Sequence, residues 1–275
     1  MRIGQADGDV RYVPDEDAPH GATFCSVGHE SRYLWARDAF PLAGARVLDF
    51  GCGSGYGVAL LAERAGEVLG LDRSPVSIDH ARRRYAKPNT TFAVADLEDP
   101  RLPVTLAERF DFVFSFDVVE HTERYYTFVE NVSRLLRPGG VAVIGCPNRV
   151  MTLELNVRWN VHHVQEFTPA QLAWLTSLYF ERCELLGQDL ADERKRAALV
   201  GGVADSRKKG LARAAWKWRR SLGKRLPFLR DPAARQAERF ANEDVRFSPL
   251  DPGQEPASRA FGLLAVCRSP RPRAR

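Results

Sequence analysis

The sequence predicts an α/β protein built on a doubly wound sheet, and three observations support this fold class. Short apolar stretches alternate with stretches of helical length and pattern between residues 46 and 190, as expected for a parallel sheet covered by helices. A glycine-rich turn over 51–57 joins the first strand to the helix after it. Acidic residues close successive strands, at the edge of the sheet where ligands of such folds bind.

The elements follow in an order that gives seven strands. An N-terminal lid, 1–45, contains a helix over 31–40. The predicted strands are 46–50, 67–72, 91–96, 110–116, 141–146, 181–190 and 260–268. The predicted helices are 58–65, 75–85, 125–136 and 168–179. Proline in the first turn of 75–85 and arginines in its last turn are typical helix-end residues.

The predicted domain organisation is one core with additions. The lid is followed by the core, 46–190, then by a basic helical insertion, 191–257, and by the last strand and tail, 258–275. Hydrophobic residues make up 44% of the 275 residues, which is enough for a sizeable core. No apolar run reaches the roughly 18 residues of a membrane-spanning helix, and the polar start lacks a secretory pattern. We therefore expect a cytoplasmic protein whose five scattered cysteines are reduced thiols.

The insertion carries much of the positive charge. Thirteen of the 40 Lys and Arg residues lie between Arg194 and Arg230, where Asp205 is the one acidic residue. As a helix, 211–229 would align Leu211, Trp218 and Leu222 in an apolar stripe beside its cations. Three interpretations stay open: the stripe packs on the body, it docks on an anionic membrane so that the protein is peripheral, or the segment contacts RNA.

The glycine-rich turn has two further interpretations besides a tight turn between strand and helix. A dinucleotide-binding loop would have the spacing GxGxxG, whereas Gly51, Gly53 and Gly55 are spaced more tightly. Asp49 precedes the turn, and its carboxylate would repel a pyrophosphate but suit a cationic ligand. Asp72 ends the second strand, where an acidic residue can accept ribose hydroxyls. Together with Asp96 at the third strand, which could accept the amine of adenine, these residues indicate an adenosine without a phosphate.

Residues 44–190 resemble the class I S-adenosylmethionine-dependent methyltransferases. The motifs that carry the resemblance are Val47–Gly55, Gly70–Asp72, Ala95–Asp96, Phe110–Asp111 with Asp117, and Leu136–Gly140. The resemblance implies S-adenosylmethionine as the cofactor, with Asp49, Gly51 and Gly53 holding its methionine part. It implies Asp72 for the ribose and Asp96 with Leu97 for the adenine. Cys52, Arg73 and Asp117 adjoin these positions and are expected in the same cofactor site.

The segment after the fourth strand supplies the candidate catalytic residues. Asp117, Glu120 and His121 should lie where the methyl group is delivered, and His121 could take a proton from an attacking hydroxyl. Through Cys146–Asn148, His162–Leu172 and the N-terminal Gly28–Tyr33, the chain resembles the branch that contains ubiquinone-pathway and surface-saccharide O-methyltransferases. It also resembles small-RNA 2′-O-methyltransferases, in which a matching set of acids and histidines holds a divalent metal. That resemblance implies an Mg²⁺ or Mn²⁺ site at Asp117, Glu120, His121 and His163 and places His163 among the catalytic residues. Structural roles for Glu120, His121 and His163, as a helix cap and packing groups, stay open beside it.

The leading functional hypothesis is methyl transfer to a hydroxyl of a saccharide or lipid-linked saccharide. An RNA ribose 2′-O-methyltransferase and a cofactor-binding protein without catalysis are the alternatives. A nicotinamide-dependent oxidoreductase is disfavoured by Asp49 and by the glycine spacing. The acceptor itself cannot be read from the motifs, because acceptor pockets of this fold are built by variable segments.

Overall fold

The computed structural model describes residues 24–154, 162–197, 242–252 and 260–272. Its centre is one eight-stranded sheet with the strand order β3-β2-β1-β4-β5-β8-β6-β7. The strands are β1 (Arg46–Phe50), β2 (Glu67–Asp72), β3 (Thr90–Val94), β4 (Phe110–Phe116), β5 (Leu136–Pro147), β6 (Phe180–Leu190), β7 (Val245–Leu250) and β8 (Gly262–Pro270). The helices are α1 (Phe24–Ala39), α2 (Tyr56–Leu61), α3 (Pro75–Tyr85), α4 (Leu102–Thr105), α5 (Tyr125–Leu135), α6 (Arg149–Glu154) and α7 (Pro169–Ser177).

The sheet is parallel over its first five strands and becomes antiparallel at β8. Strand β1 pairs in parallel with β2 and β4, while β3 and β5 extend the sheet in parallel on either side. Strand β8 is antiparallel to both β5 and β6. The carboxyl ends of β1, β2, β4 and β6 therefore meet at the same edge as the start of β8. This confirms the predicted doubly wound sheet.

The sheet has eight strands rather than the seven that the sequence predicts. The additional strand is β7, which pairs with β6 at the edge of the sheet and lies inside the stretch 191–257 predicted as a helical insertion. Its sequence, Val-Arg-Phe-Ser-Pro-Leu, is short and contains Pro249, and proline is tolerated in edge strands because it has no N–H to donate. Residues 198–241 and 253–259 of the insertion, including the apolar stripe over 211–229, lie outside the described residues.

Helices cover both faces of the sheet and bury a separate hydrophobic cluster on each face. One cluster joins α5 and α7 to the sheet and includes Phe128 and Leu172. The other joins α1, α2 and α3 and includes Ala36, Leu61 and Ile78. Over the described ranges, no helix combines the length and the apolar character that a bilayer-spanning segment needs.

The N-terminal helix begins earlier than predicted and is fixed to the body. Tyr33 of α1 is only 4% exposed, and its ring makes edge contacts with Tyr56 and Phe116 at centroid distances of 5.3 and 5.0 Å. A Cβ at Gly57 would come within 2.2 Å of this ring. The close approach of α1 to α2 therefore depends on the missing side chain at Gly57.

Substitution Gly57→Ala is expected to lower the free energy of unfolding by about 1–2 kcal/mol, measured by urea denaturation. Alanine in place of glycine stabilises a helix by roughly 1 kcal/mol. Overpacking a fixed core destabilises the fold by about 1–3 kcal/mol, and we expect the steric cost against the buried Tyr33 ring to be the larger of the two. Gly28→Ala in α1 is the matched control, because the nearest atom to its added Cβ is 3.8 Å away. Equal stability changes in the two variants would contradict the proposed packing role of Gly57.

Candidate cofactor and acceptor site

One cavity of about 340 Å³ opens at the edge where the strand ends meet. Its cofactor side consists of the turn after β1, the end of β2 and the turn after β3. Its acceptor side consists of the segment after β4, the loop before α7, residues of α1 and β6, and Phe261 just before β8. The predicted site residues on its wall are Gly51, Cys52, Gly53, Asp72, Arg73, Asp96, Leu97, Asp117, Glu120, His121 and His163. Asp49 is the one predicted site residue that is not among the lining residues.

The glycine turn brings backbone N–H groups close to the cavity. Gly51 has φ 101°, and a Cβ there would come within 2.4 Å of the Val118 side chain. The N–H of Gly51 donates to the Leu71 carbonyl at 2.8 Å, and the N–H of Gly53 donates to Asp72 Oδ2 at 2.9 Å. The turn is therefore tied to the end of β2, and the missing side chain at Gly51 allows its close approach to Val118.

Asp72 lies at the end of β2 with its carboxylate held by backbone donors. In addition to Gly53, the N–H of Ser74 donates to Asp72 Oδ1 at 2.9 Å. The residue is 2% exposed and lines the cavity. A buried carboxylate in a fixed orientation suits a ligand that presents two neighbouring hydroxyls, which is the role predicted for it.

Substitution Asp72→Ala is expected to weaken binding of S-adenosylmethionine by about 2 kcal/mol, roughly 30-fold, because hydrogen bonds to a charged group are lost. Isothermal titration calorimetry would measure this change. Asp79→Ala on α3 is the control, since Asp79 is exposed and makes a surface ion pair with Arg82. Wild-type affinity in the Asp72 variant would refute the ribose assignment.

The turn after β3 differs in detail from the prediction. The strand ends at Val94, two residues before Asp96, whose carboxylate is exposed. Its Oδ1 accepts the N–H of Glu98 at 2.9 Å, and Arg124 lies 3.8 Å from its Oδ2. Leu97 is buried, and its carbonyl accepts Asn131 Nδ2 at 2.9 Å. Asp96 and Leu97 thus form a polar and an apolar part of the same wall, as an adenine ring requires.

Asp49 lies behind the cavity wall. It is fully buried, and its Oδ1 accepts the hydroxyl of Tyr33 at 3.2 Å. Its Oδ2 has no hydrogen-bond partner among the described residues. Burial raises the pKa of Asp49 to about 8, with the Tyr33 hydrogen bond opposing this rise and the charge of Asp72 adding to it. A carboxyl in this state would gain from a nearby cation, which fits the ammonium of a methionine moiety.

Asp117 lies against a histidine and an arginine. Its backbone has φ 55°, a left-handed conformation that aspartate tolerates better than most residues. His29 Nδ1 lies 2.7 Å from its Oδ2, and Arg32 makes an ion pair with the same oxygen. Although burial opposes ionisation, the charges of Arg32 and His29 hold the pKa of Asp117 well below its usual range.

Glu120 has the opposite electrostatic environment. It is 0% exposed, and neither carboxyl oxygen has a hydrogen-bond partner among the described residues. Burial, followed by the negative charge of Asp117, raises the pKa of Glu120 well above its usual range. The two carboxyls are therefore pushed in opposite directions, and Glu120 is the group that would gain most from a donor or a cation.

His121 and His163 face each other beside Glu120. Their ring centroids are 4.8 Å apart. His121 Nδ1 lies 3.2 Å from the carbonyl oxygen of His162, and His163 Nδ1 lies 3.1 Å from Glu166 Oε1. Because each Nδ1 meets an oxygen acceptor, the tautomer that donates from Nδ1 fits both rings, and Nε2 is then the atom that can act as a ligand or a base. Potential ligand atoms of Glu120, His121 and His163 lie within 4.8 Å of one another, and this group does not include Asp117.

The structure adds site residues that the sequence motifs did not assign. Arg32 is buried and donates from Nε to Gln188 Oε1 at 2.8 Å. Gln188 in turn donates from Nε2 to the Gly28 carbonyl at 2.7 Å and to Ser31 Oγ at 3.0 Å. This network ties α1 to β6 and closes the acceptor side. The sequence feature that could have indicated this network is Gln188, a polar residue near the end of the largely apolar strand β6.

Comparisons with known proteins agree with this geometry. A family model described as a methyltransferase domain matches residues 48–144. A relative from Mycolicibacterium smegmatis, described as a probable S-adenosylmethionine-dependent methyltransferase, is 36% identical over 143 residues, 52% of this chain and 54% of the relative. A ubiquinone biosynthesis O-methyltransferase from Azorhizobium caulinodans is 30% identical over 178 residues, 58% of this chain and 66% of that protein.

Among solved structures, an S-adenosylmethionine-dependent methyltransferase from Mesorhizobium loti has the same fold. The TM-score is 0.52 at 15% identity, over 88% of this chain and 99% of that chain. The match to the mycobacterial relative spans about half of that protein's length. With the sheet order and the site, these matches show that the chain belongs to the class I S-adenosylmethionine-dependent methyltransferases.

Proposed function

We propose that this protein transfers a methyl group from S-adenosylmethionine to a hydroxyl of a saccharide or lipid-linked saccharide. The observation that carries the proposal is the group of buried carboxyl oxygens on the acceptor side. Asp117 Oδ1 and both oxygens of Glu120 have no hydrogen-bond partner among the described residues. A buried acceptor without a donor costs about 1–3 kcal/mol, so a ligand with hydroxyl donors is favoured beside Asp117, and Glu120 favours either a hydroxyl or the cation discussed below.

The residues of the cofactor side fit S-adenosylmethionine. Gly51 and Gly53 line the cavity in the left-handed backbone conformation that glycine adopts most readily. Asp72 presents a fixed carboxylate to the ribose, and Asp96 with Leu97 borders the adenine position. The partnerless Oδ2 of Asp49 favours a positive charge behind the turn. The carboxyl groups of Asp49, Asp72 and Asp96 around this side would repel a pyrophosphate but suit a sulfonium and an ammonium.

On the acceptor side, His121 is the proposed proton acceptor. An aliphatic hydroxyl has a high pKa and is a weak nucleophile, so removal of its proton during attack lowers the barrier. His121 carries its lone pair on Nε2 because its Nδ1 is anchored on the His162 carbonyl. Asp117, held ionised by Arg32 and His29, can accept a second hydroxyl of the substrate and orient it. The ubiquinone biosynthesis relative, which by its name is an O-methyltransferase, supports oxygen as the methylated atom.

A divalent cation is the alternative use of the same side chains. We propose that Glu120, His121 and His163 would then hold it, with Nε2 of His121 coordinating the ion instead of accepting the proton. Metal-binding histidines usually donate their second ring N–H to a carbonyl or carboxylate, as His121 and His163 do here. Glu120 is a buried carboxyl without a donor. With Asp117 committed to Arg32, two imidazoles and one carboxylate favour Mn²⁺ over Mg²⁺. When bound, such an ion supplies Lewis acidity toward the accepting oxygen.

Metal binding is testable without an acceptor. Titration of Mn²⁺ into the purified protein, with free Mn²⁺ followed by electron paramagnetic resonance, should show one site. His163→Ala should weaken that site at least about 10-fold, because one of three ligands is lost. Arg124→Ala, which changes a surface cation paired with Asp96, should leave it unchanged. Absence of Mn²⁺ binding by the wild-type protein, with turnover unaffected by a chelator, would leave His121 as a base without a metal.

The acceptor class is tested by incubating the protein and methyl-labelled S-adenosylmethionine with a cell extract. Label in water-soluble saccharides or in a lipid fraction sensitive to glycosidic cleavage would support the proposal. Label in RNA, located on ribose 2′-oxygens, would instead establish the alternative that resembles the small-RNA enzymes. Label in none of these fractions, with cofactor binding intact, would favour a binding protein without catalysis.

A further inference from the structure

Two cysteines lie opposite each other on neighbouring strands outside the cofactor and acceptor site. Cys183 on β6 is the direct partner of Cys267 on β8 in the antiparallel register. Their Sγ atoms are 2.9 Å apart, and both residues are free thiols. The pair belongs to the hydrophobic cluster beneath α7, and methyl transfer as derived above makes no use of it.

The backbone at this pair meets the geometric demands of a disulfide. Directly opposite residues of antiparallel strands have Cα atoms about 4.5–5.5 Å apart, inside the range of about 4.4–6.8 Å found for disulfides. Bond formation would bring the two sulfurs closer by roughly 0.9 Å, to about 2.05 Å. Small side-chain rotations can supply that change, so the strands need not separate or slide.

The two thiols differ in reactivity. Cys183 is half-buried, whereas Cys267 is fully buried. The Cys267 thiol, the Thr176 hydroxyl and the charge of Arg271 lower the pKa of Cys183, with burial opposing them. Burial raises the pKa of Cys267 well above its usual range. Arg271 is itself fixed, because its Nε donates to the carbonyls of Ser177 and Phe180 at 3.0 and 3.2 Å. Cys183 is therefore the more accessible thiol and the first nucleophile, and Cys267 is the buried thiol that can resolve its oxidised form.

We propose that Cys183 and Cys267 form an oxidation site for hydrogen peroxide, at which a reversible disulfide links β6 to β8. The Cys183 thiolate attacks one peroxide oxygen, the O–O bond breaks, and the departing oxygen takes a proton and leaves as water. The Cys267 thiol then attacks the sulfur of the resulting sulfenic acid, and the hydroxyl leaves with the thiol proton as a second water. In total, two thiols and one hydrogen peroxide give one disulfide and two waters.

The site would act on the same strands that close the acceptor side. Farther along β6 and β8, Gln188 pairs with Gly262, and Gln188 and Phe261 line the cavity. A disulfide at Cys183 and Cys267 would fix the register of these two strands without occupying the cavity. The inference does not depend on the acceptor or on methyl transfer, so it stands or falls separately from the proposed function.

Peptide mapping of the oxidised full chain tests the proposal. The reduced protein is treated with a small excess of hydrogen peroxide, remaining thiols are alkylated, and the digest is analysed by mass spectrometry. The expected product joins the Cys183 and Cys267 peptides, leaves the other three of the five cysteines alkylated, and disappears after dithiothreitol. Alkylated Cys183 and Cys267, a dominant link between other cysteines, or Cys183 sulfinic acid beside alkylated Cys267 would each overturn it.

Single-cysteine variants sharpen the result. Cys183→Ser replaces a half-buried thiol by a group of similar size, and its digest should contain no linked peptide and no oxidised Cys267. Cys25→Ser is the matched control and should form the link at the wild-type rate. Oxidation of Cys267 in the Cys183 variant at the wild-type rate would contradict the role of Cys183 as the attacking thiol. If Cys183→Ser does not fold, the wild-type map decides alone.

Discussion

Substitution His121→Ala is expected to lower turnover by about 100-fold or more while the affinity for S-adenosylmethionine stays within about twofold of wild type. The imidazole lies on the acceptor side, and its Nδ1 faces the His162 carbonyl. In the proposed function it acts on the attacking hydroxyl, either as the base or as a ligand of the cation. The cofactor contacts at Asp72 and the glycine turn do not involve it.

The measurement combines calorimetry of cofactor binding with initial rates on the fraction that takes up label from the extract. His121→Asn is the matched variant, because its amide can still donate to the His162 carbonyl but offers no lone-pair nitrogen. It should be as slow as His121→Ala. Near-normal turnover in His121→Asn would show that the ring only anchors the loop, and the assignment of His121 to catalysis would then be wrong.

The fold was largely predictable because most of its helices and strands are marked by sequence patterns within the elements themselves. Strands β1, β2 and β4 and helix α3 have the predicted bounds, since each is a short apolar or amphipathic run bordered by glycine, proline or charge. Helix α7 begins directly after Thr168, whose side chain forms a capping box with that of Gln171 in the first turn. Strand β7 was missed because its pairing with β6 is made across more than 50 residues of chain, and six residues containing a proline give no local strand signal.

The cofactor side was more predictable than the acceptor side for a physical reason. Gly51, Asp72 and Asp96 are placed by strand ends, and a strand end is visible in the sequence. The acceptor side is assembled from distant segments, so the pairing of Asp117 with Arg32 and His29 could not be read from spacing. Of the four residues predicted to hold a metal, the structure groups Glu120, His121 and His163, and this group does not include Asp117. Conversely, His163 was placed beside His121 by sequence resemblance, and the structure brings them together.

The affinity for S-adenosylmethionine is expected to fall about 50-fold between pH 8 and pH 6, because Asp49 becomes protonated in the empty site. The pKa of Asp49 is raised by burial to about 8, so the carboxyl is about half ionised at pH 8 and roughly 1% ionised at pH 6. Only the ionised form attracts the ammonium of the cofactor. The apparent affinity is proportional to the fraction of protein in which Asp49 is ionised. Binding therefore becomes tighter as the pH rises toward 8.

The release of a proton from Asp49 on cofactor binding tests the same ionisation in a second measurement. At pH 7, binding should release about 0.9 proton, because the cofactor's positive charge lowers the pKa of Asp49 below the pH. Calorimetry in two buffers of different ionisation enthalpy measures that number. Asp49→Asn keeps an acceptor for the Tyr33 hydroxyl but cannot ionise, so it should bind weakly, with little pH dependence and no proton release. Equal wild-type affinity at pH 6 and pH 8 would show that Asp49 does not sense the ligand's charge.

Substitution Tyr33→Phe separates burial from hydrogen bonding at this carboxyl. The Tyr33 hydroxyl donates to Asp49 Oδ1 at 3.2 Å and lowers the pKa that burial raises. Without this donor, the ionised form loses stabilisation and the pKa of Asp49 rises further. The profile of affinity against pH should then move to higher pH, while the hydrophobic contacts of the ring with Tyr56 and Phe116 remain. A profile that moves to lower pH would contradict the assignment, because it would mean that Tyr33 destabilises the charged carboxylate that the cofactor requires.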